Sequence, residues 1–323
     1  MNHIRDGADP LTQQSDPTIG FTIYVHVYYP DVWDEMCGEI VATVRQPFGL
    51  VITRPPCVAP VALPDTPFLR YSQQLEVENR GRDILPFLKA LRRPRLPVTD
   101  IGLKLHTKRS PHRADGADWR RFLCNSLLQS DTANGLLGHA LLTAEQRIGL
   151  IAPNAHLLPL YGRTSINDDV ITEVLTRLYG GERAPAVAME QFAAGSMFWF
   201  RRSALDRLLA ENIDTLFAAE RGQLDGTAAH ALERLFATIV EQHGQLAVGM
   251  ENTTPIMMAQ PDRLTTAELQ SLIDSTLNRE NPFSMTLSPF WRDNPRLLKL
   301  AHAVYARMPK RAIRVLRAAV RRS

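Results

Sequence analysis

The 323-residue chain is long enough for one large domain or for one domain with an appendage, and its hydrophobic content of 45% is ordinary for a globular protein. Its three cysteines (Cys37, Cys57 and Cys124) are widely spaced, which excludes a disulfide scaffold and favours a reducing cytoplasm. The polar N-terminus lacks an apolar signal-peptide core, and no run of about 18 apolar residues occurs, so neither a signal peptide nor a transmembrane helix is expected.

The net charge of +3 hides a difference between the C-terminal segment and the rest of the chain. Residues 292–322 carry ten Lys or Arg and a single acid, Asp293. The remainder holds 27 of the 37 bases and 33 of the 34 acids, so it is acidic overall. The basic character therefore belongs to the tail and not to the main domain.

Strand and helix patterns alternate along the chain, which predicts an α/β architecture with a mainly parallel sheet flanked by helices. Residues 1–20 are expected to form a flexible arm, residues 21–260 the α/β domain and residues 261–323 a helical basic extension. The predicted strands are residues 21–28, 49–53, a segment from residue 75 leading into Asn79, and residues 100–108, 148–152 and 192–201. The predicted helices are residues 32–44, 84–88, 117–129, 166–179 and 226–242.

The first candidate site is the turn NRGRD at residues 79–83, between a predicted strand and a predicted helix. Helix N-termini favour anions because their backbone N–H groups point outward and the helix dipole is positive there. Arg80 and Arg82 add positive charge, and Asp83 suits the N-cap position. These residues favour a site for a phosphorylated ligand; the alternative is an ordinary strand–turn–helix with solvated arginines.

The second candidate is the strand end LKLHTKRS, residues 103–110. Alternate residues of a strand share a face, so Lys104, His106 and Lys108 are predicted to line one side. Three bases at a strand end could bracket a diphosphate. The alternative is a solvated basic edge that discourages strand pairing.

The third candidate is the segment FAAGSMFWFR, residues 192–201. Small residues inside a strand often mark the close approach of a ligand, which indicates a site at Gly195 and Ser196. Trp199 could supply an apolar wall. A core strand whose small residues make room for a neighbour explains the pattern equally well.

The fourth candidate is the helix start DGTAAHALERL, residues 225–235. Helical spacing places His230, Glu233 and Arg234 on one face, opposite an apolar stripe. A carboxylate there could accept a proton from an attacking hydroxyl. The alternative is the solvated face of an amphipathic helix.

Together these segments resemble the rhamnan synthesis protein F family, which is associated with the assembly of rhamnose-containing cell-surface polysaccharides. The resemblance rests on HVYYPD (26–31), ENRGRDILPFL (78–88), KLHTKRSPH (104–112), DWRRFL (118–123), FAAGSMFWFR (192–201) and DGTAAHALERL (225–235), in this order. Members are regarded as glycosyltransferase-like, so the resemblance implies transfer of a sugar, with rhamnose as the first candidate, onto a growing glycan.

The layout also resembles the nucleotide-sugar-binding fold of the large inverting glycosyltransferase group, the glycosyltransferase A-like fold. That resemblance implies roles for the candidate residues. Nucleotide-sugar binding falls to Asn79, Arg82, Asp83, Lys104, His106 and Lys108; the acceptor or sugar pocket falls to Gly195, Ser196, Trp199 and His230. The catalytic base would be Asp225 or Glu233, and Asp225 is preferred because a loop beside a helix start can reach the reacting centre.

The same group usually carries an Asp-x-Asp at the end of a central strand to hold a divalent metal. The corresponding predicted strand, residues 100–108, has none. A strand face with lysine and histidine could neutralise the negative charge of a diphosphate, as a divalent metal ion does. No metal site or certain cofactor is therefore predicted, and a requirement for a divalent cation stays open. The expected partners are a nucleotide-sugar donor, first of all dTDP-rhamnose, and a glycan or lipid-linked acceptor.

The tail combines apolar residues with arginines and lysines, and Pro309 splits it into two predicted helices. Basic amphipathic helices lie on anionic membrane surfaces, which favours a cytoplasmic protein held at the inner face of the cytoplasmic membrane. Packing on the domain or on a partner protein is the alternative. Nucleic-acid binding is not expected, because the main domain is acidic. A non-catalytic glycan-binding or assembly subunit remains the rival function.

Overall fold

The computed structural model describes residues 19–93, 99–107, 109, 115–132, 135–160, 163–164, 167–181, 191–219, 225–276, 283 and 297. The strands are β1 (Phe21–His26), β2 (Phe48–Arg54), β3 (Leu69–Glu76), β4 (Ile101–His106), β5 (Ser130–Asp131), β6 (Gly135–Leu136), β7 (Ile148–Ala152), β8 (Leu157–Pro159), β9 (Gln191–Ala193), β10 (Phe198–Arg201) and β11 (Leu246–Gly249). The helices are α1 (Pro30–Thr43), α2 (Ile84–Leu91), α3 (Gly116–Leu127), α4 (Leu137–Ala144), α5 (Asp168–Tyr179), α6 (Asp206–Ala210), α7 (Ala228–Gln242), α8 (Thr253–Met258) and α9 (Thr266–Thr276).

Seven of the described strands form a central sheet in the order β11-β7-β10-β4-β1-β2-β3, and two small ribbons pair β5 with β6 and β8 with β9. The strands β1, β2, β3, β4, β7 and β11 run parallel to one another, whereas β10 is antiparallel to both of its neighbours. The predicted mainly parallel sheet flanked by helices is thus confirmed.

The chain reverses its direction of progress across the sheet at β1. The first three strands follow one another toward one edge, and β4 then adds on the other side of β1. Open α/β sheets bind ligands outside the carboxyl ends of the strands at such a switch point. The carboxyl ends of β1 and β4, at His26 and His106, are therefore where the fold itself places a site.

Two apolar layers cover the sheet. The helices α2, α5, α6 and α7 pack on one face, and α1, α3, α4, α8 and α9 pack on the other. The sequence explains the pattern: on α1 the buried Trp33, Met36 and Ile40 recur at helical spacing, and α2 is apolar nearly all round and correspondingly buried. None of the described helices combines the length and apolar character that crossing a bilayer needs.

The structure moves both ends of the predicted domain. Ile19 is buried and the backbone N–H of Gly20 donates to the carbonyl of Pro47 at 3.1 Å, so these two residues belong to the fold and not to an arm. At the other end, α9 buries Leu269 and Ile273 in the core, so the domain extends at least to residue 276. Residues 1–18 of the predicted arm, and most of the basic extension, lie outside the described residues.

The predicted strand 192–201 is wrong as a single element. It forms β9 and β10, which belong to different sheets. Gly195 and Ser196 between them have φ angles of +91° and +56°, in the left-handed region that extended backbone does not use. The small residues of this motif therefore make a turn. The turn lies at the carboxyl edge of the parallel strands, because the antiparallel β10 begins there with Phe198 opposite Lys104.

Candidate active site

A cleft of about 440 Å³ opens at the carboxyl ends of β1 and β4. Five segments line it: the end of β1 with the loop that follows, the turn before α2, the end of β4, the turn before β10, and the first turns of α7. All four candidate motifs thus contribute residues to one cleft, although they are far apart in sequence.

The ends of β1 and β4 are tied together by hydrogen bonds. The Thr107 hydroxyl accepts the backbone N–H groups of Tyr28 at 2.8 Å and of Tyr29 at 3.0 Å. The Nδ1 atom of His26 lies 3.0 Å from the Thr53 hydroxyl on β2. Burial, reinforced by His106 and Lys104, lowers the pKa of His26 to about 4 against the opposing effect of Asp83, so this imidazole is neutral at pH 7.

A buried ion pair forms the floor of the cleft. The Lys104 ammonium, 1% exposed, pairs with the Asp83 carboxylate and also donates to the backbone carbonyl of Ser196 at 2.6 Å and to its hydroxyl at 2.9 Å. These three acceptors match the three N–H groups of an ammonium. Burial acts to raise the pKa of Asp83, but His106, Lys104 and His26 outweigh it and hold that pKa well below its usual range.

This pairing alters two expectations. Asp83 stands at the N-cap of α2 but makes no side-chain cap hydrogen bond, because its carboxylate turns to Lys104. Lys104 lies below the cleft surface with its three donors engaged, so direct contact with a diphosphate is excluded in this arrangement. Lys108, the third base of the predicted face, lies outside the described residues.

The turn at Gly195 and Ser196 is fixed at each of its polar atoms. The N–H of Gly195 donates to Oε1 of Glu233 at 2.9 Å, and its carbonyl lies 2.9 Å from Nε2 of His106. Because a carbonyl only accepts, this contact assigns the proton of His106 to Nε2. The opposite imidazole nitrogen, Nδ1, then faces the Asp83 carboxylate at 3.9 Å.

A second turn that lines the cleft also has positive φ angles. Gly81 and Arg82, just before α2, have φ angles of +70° and +54°. Left-handed non-glycine residues such as Arg82 and Ser196 each store strain of roughly 1–3 kcal/mol and cluster at functional sites. Both residues line the cleft, on either side of the Lys104 ion pair.

The two candidate bases, Glu233 in α7 and Asp225 just before it, differ in their position relative to the cleft. Glu233 lines the cleft, and its carboxylate is positioned by the Gly195 N–H. Asp225 is not among the residues that line the cleft; its carboxylate pairs with Arg234 at 3.2 Å and lies 3.9 Å from Nδ1 of His230, which does line it. His230, buried between them, has its Nδ1 atom 2.7 Å from the Thr227 hydroxyl, and burial followed by the charge of Arg82 lowers its pKa to about 4.

Trp199 is not part of the cleft, contrary to expectation. Its indole is fully buried on the opposite face of the sheet, where Nε1 donates to the carbonyl of Leu127 at 2.8 Å. Its ring packs edge-on against Phe21 with centroids 5.1 Å apart. Strand alternation is the reason, because Phe198 and Phe200 face the α7 layer and Trp199 must then face away.

The structure adds residues to which the sequence gave no role. Tyr28 and Tyr29 line the cleft mouth, and the guanidinium of Arg109 lies 4.5 Å from the Tyr29 ring centre and pairs with Asp31. The segment HVYYPD (26–31) could have indicated the two tyrosines, because aromatic residues that directly follow the carboxyl end of a strand are well placed to contact a ligand. Asn79, which the sequence already assigned to nucleotide-sugar binding, lines the cleft as well.

Metal-binding clusters are not found among the described residues: no group of three or more His, Cys, Asp or Glu side chains there has a suitable arrangement. The Asp83 carboxylate on the floor of the cleft is paired with Lys104. Cationic character at the cleft surface comes from Arg82 and Arg109.

Comparison with known sequences identifies the family. The sequence model of the rhamnan synthesis protein F family matches residues 8–245. The chain belongs to the rhamnan synthesis protein F family. Every segment that lines the cleft falls inside the matched range, from the end of β1 to the first turns of α7. The helices α8 and α9, which complete the core, follow it.

Two curated relatives of this family member come from Xanthomonas campestris pv. campestris. The chain is 37% identical over 248 residues to the uncharacterised protein WxcX of strain B100, and equally to the protein of the same name in a second strain. The alignment covers 75% of this chain and 34% of each relative, so the chain spans about a third of the length of the curated relatives it matches.

Among solved structures, a mannosyltransferase of Pyrobaculum calidifontis, PcManGT in complex with GDP-Man and Mn²⁺, is similar with a TM-score of 0.35 and 14% identity. The superposition covers 97% of this chain and 83% of that one.

Proposed function

We propose that this chain is a glycosyltransferase, which moves a sugar from a nucleotide-sugar donor to a growing cell-surface polysaccharide or lipid-linked glycan. The observation that carries the proposal is the Glu233 carboxylate, positioned by the Gly195 N–H at 2.9 Å in the wall of a cleft at the topological switch point. Membership of the rhamnan synthesis protein F family supports saccharide chemistry and makes rhamnose the first donor sugar to test.

The proposed donor site uses the cationic side of the cleft. Arg82 and Arg109 lie there, and guanidinium groups bind phosphate oxygens through paired hydrogen bonds. Asn79 adds an amide for the nucleotide sugar, and Lys108 is proposed to contribute a further charge. Asp83 and His106 also line the cleft, Lys104 lies beneath it, and the proposed role of all three is to shape this surface.

The proposed sugar side of the cleft is the wall of Gly195, Ser196 and His230. An acceptor hydroxyl attacks the anomeric carbon, the bond from that carbon to the phosphate oxygen breaks, and the electron pair leaves with the nucleoside diphosphate. The hydroxyl proton passes to Glu233. Glu233 replaces Asp225 as the preferred base, because Asp225 is paired with Arg234 and does not line the cleft.

Ligand binding is tested by thermal unfolding with a panel of nucleotide sugars, with and without a divalent cation. A ligand at 100 times its Kd stabilises the fold by about 2.7 kcal/mol, which is readily measured. A shift with dTDP-rhamnose names the donor, and its survival in chelator decides whether a metal contributes. A cooperative transition that no nucleotide sugar shifts would instead favour a non-catalytic, glycan-binding or assembly subunit.

The base assignment is tested by comparing Glu233→Gln with Asp225→Asn in a sugar-transfer assay. A general base contributes about 10²–10⁴-fold, so Glu233→Gln is expected to lower kcat by that factor with little change in donor KM. Asp225→Asn tests the rival assignment and should stay within about 5-fold of wild type, because the Asp225 carboxylate is paired with Arg234 and does not line the cleft. Full turnover by Glu233→Gln would refute the assignment.

A further inference from the structure

We propose that Lys104 is a positioning residue, which holds the turn at Gly195 and Ser196 so that the Gly195 N–H orients the Glu233 carboxylate for proton transfer. The inference rests on the proposed function, because it concerns the residue assigned as the base. It gives Lys104 a role through another residue, in place of the direct diphosphate contact that the strand pattern indicated.

The contacts of Lys104 converge on one turn. Two of its hydrogen bonds go to Ser196, at 2.6 Å to the carbonyl and 2.9 Å to the hydroxyl, and its ion pair goes to Asp83. Asp83 directly precedes α2, so the ammonium connects the turn before α2 to the turn before β10 across the floor of the cleft. This places β4 between the two cleft-lining turns that carry the left-handed residues Arg82 and Ser196.

Packing alone does not account for a lysine at this position. Its ammonium lies 5.3 Å from the ring centre of Phe87 and 5.7 Å from that of Phe198, and the side chain is 1% exposed. An apolar side chain of similar length would fill such surroundings without the cost of removing a charge from water. The ammonium supplies what a hydrocarbon cannot, which is three directed hydrogen bonds.

The turn transmits this constraint to Glu233. Ser196 has a φ of +56°, a conformation that persists only where the surroundings enforce it. Lys104 holds the Ser196 carbonyl, His106 holds the Gly195 carbonyl at 2.9 Å, and the Gly195 N–H then reaches Glu233 at 2.9 Å. Loss of the Lys104 bonds lets the turn relax, and the carboxylate loses its fixed orientation.

The test is a double-mutant cycle of Lys104→Met and Glu233→Gln, with kcat and donor KM measured for the wild type and the three variants. Lys104→Met is expected to lower kcat by about 10- to 100-fold, the cost of misplacing a reacting group by about 1 Å. Donor KM should stay within about 3-fold, and in the Glu233→Gln background the further loss of kcat should be under about 3-fold, because the two residues act as a unit. Lys89→Met, on the outer side of α2, is the matched control and should behave as wild type.

Where Lys104→Met alone unfolds the chain because Asp83 stays charged and unpaired, Asp83→Asn/Lys104→Met removes the pair together and replaces it in the cycle. Losses that multiply in the Glu233→Gln background overturn the inference and leave the proposed function intact. A rise in donor KM at unchanged kcat also overturns it, since Lys104 would then contact the donor. A wild-type chain that binds no nucleotide sugar overturns the proposed function, and the inference with it.

Discussion

The imidazoles of His26 and His230 show how burial sets charge in the cleft. Both are more than nine-tenths buried, and burial is the main reason that the pKa of each falls to about 4. At neutral pH they line the cleft as uncharged hydrogen-bonding groups, suited to hydroxyls. The arginines among the described lining residues are Arg82 and Arg109.

The low pKa of His26 predicts a pH dependence of stability. Between about pH 6.5 and pH 4 the unfolded chain binds a proton at this histidine and the native chain does not, so the free energy of unfolding decreases as the pH falls through this window. At 1.36 kcal/mol per pKa unit, this one histidine removes about 2–3 kcal/mol by pH 4.5. Urea unfolding of wild type and His26→Asn at pH 7.5 and 4.5 measures it.

Asparagine can keep the hydrogen bond to the Thr53 hydroxyl but does not titrate, so His26→Asn should lose about 2–3 kcal/mol less than wild type between the two pH values. His243→Asn, at the exposed end of α7, is the control and should lose as much as wild type. Equal losses in wild type and His26→Asn would show that His26 is not held neutral.

Sequence alternation placed Lys104 and His106 on one face of a strand, and both do face the floor of the cleft. Their roles were beyond the sequence, because the partners are distant: Asp83 lies 21 residues and Ser196 lies 92 residues from Lys104. The preference for Asp225 over Glu233 as the base was also made without knowledge of contacts between residues distant in sequence. Local spacing gave the shared face of α7, whereas the Arg234 pairing and the Gly195 contact depend on the fold.

At the level of elements, the sheet was largely readable from the sequence. The strand 148–152 was predicted with the bounds of β7, and α1, α3, α5 and α7 were predicted within about two residues at each end. The predicted helix 32–44 begins at Pro30 instead, because proline suits the first turn of a helix. Short elements such as α4 and β11 were missed, since eight and four residues give too little periodicity to stand out.

The packing of α4 against β10 can be tested by one substitution made at two glycines. Gly138 in α4 contacts Trp199, and a Cβ there would overlap the indole. Gly38 in α1 has nothing within 4 Å of an added Cβ. Gly38→Ala is expected to raise the free energy of unfolding by about 0.5–1 kcal/mol through helix propensity, whereas Gly138→Ala should lower it by about 1–3 kcal/mol through overpacking.

Urea unfolding of the two alanine variants gives both values. The comparison isolates packing, because helix propensity favours alanine equally at both sites. A stabilising Gly138→Ala would mean that Trp199 does not occupy the space against α4, and that the orientation assigned to β10 is incorrect.

At the level of the whole molecule, charge is divided between the domain and the tail. Outside residues 292–322 the chain holds 27 bases and 33 acids, so an anionic surface repels the domain, whereas the tail, with ten bases and one acid, is attracted to it. Among the described residues, the core extends as far as α9. The tail is therefore the part of the chain from which membrane attachment is predicted.

Removal of residues 295–323 tests this attachment, because it deletes nine of the ten bases counted in that segment. Each basic residue near an anionic membrane contributes about 1 kcal/mol to binding. The apparent affinity for phosphatidylserine-containing vesicles, measured by sedimentation, should therefore fall by at least about 100-fold. Zwitterionic vesicles control for apolar adsorption, and the thermal midpoint should stay within about 3 °C of the full chain because the described core is retained. Vesicle binding that survives the truncation would refute the membrane role and favour a tail that packs on the domain or on a partner protein.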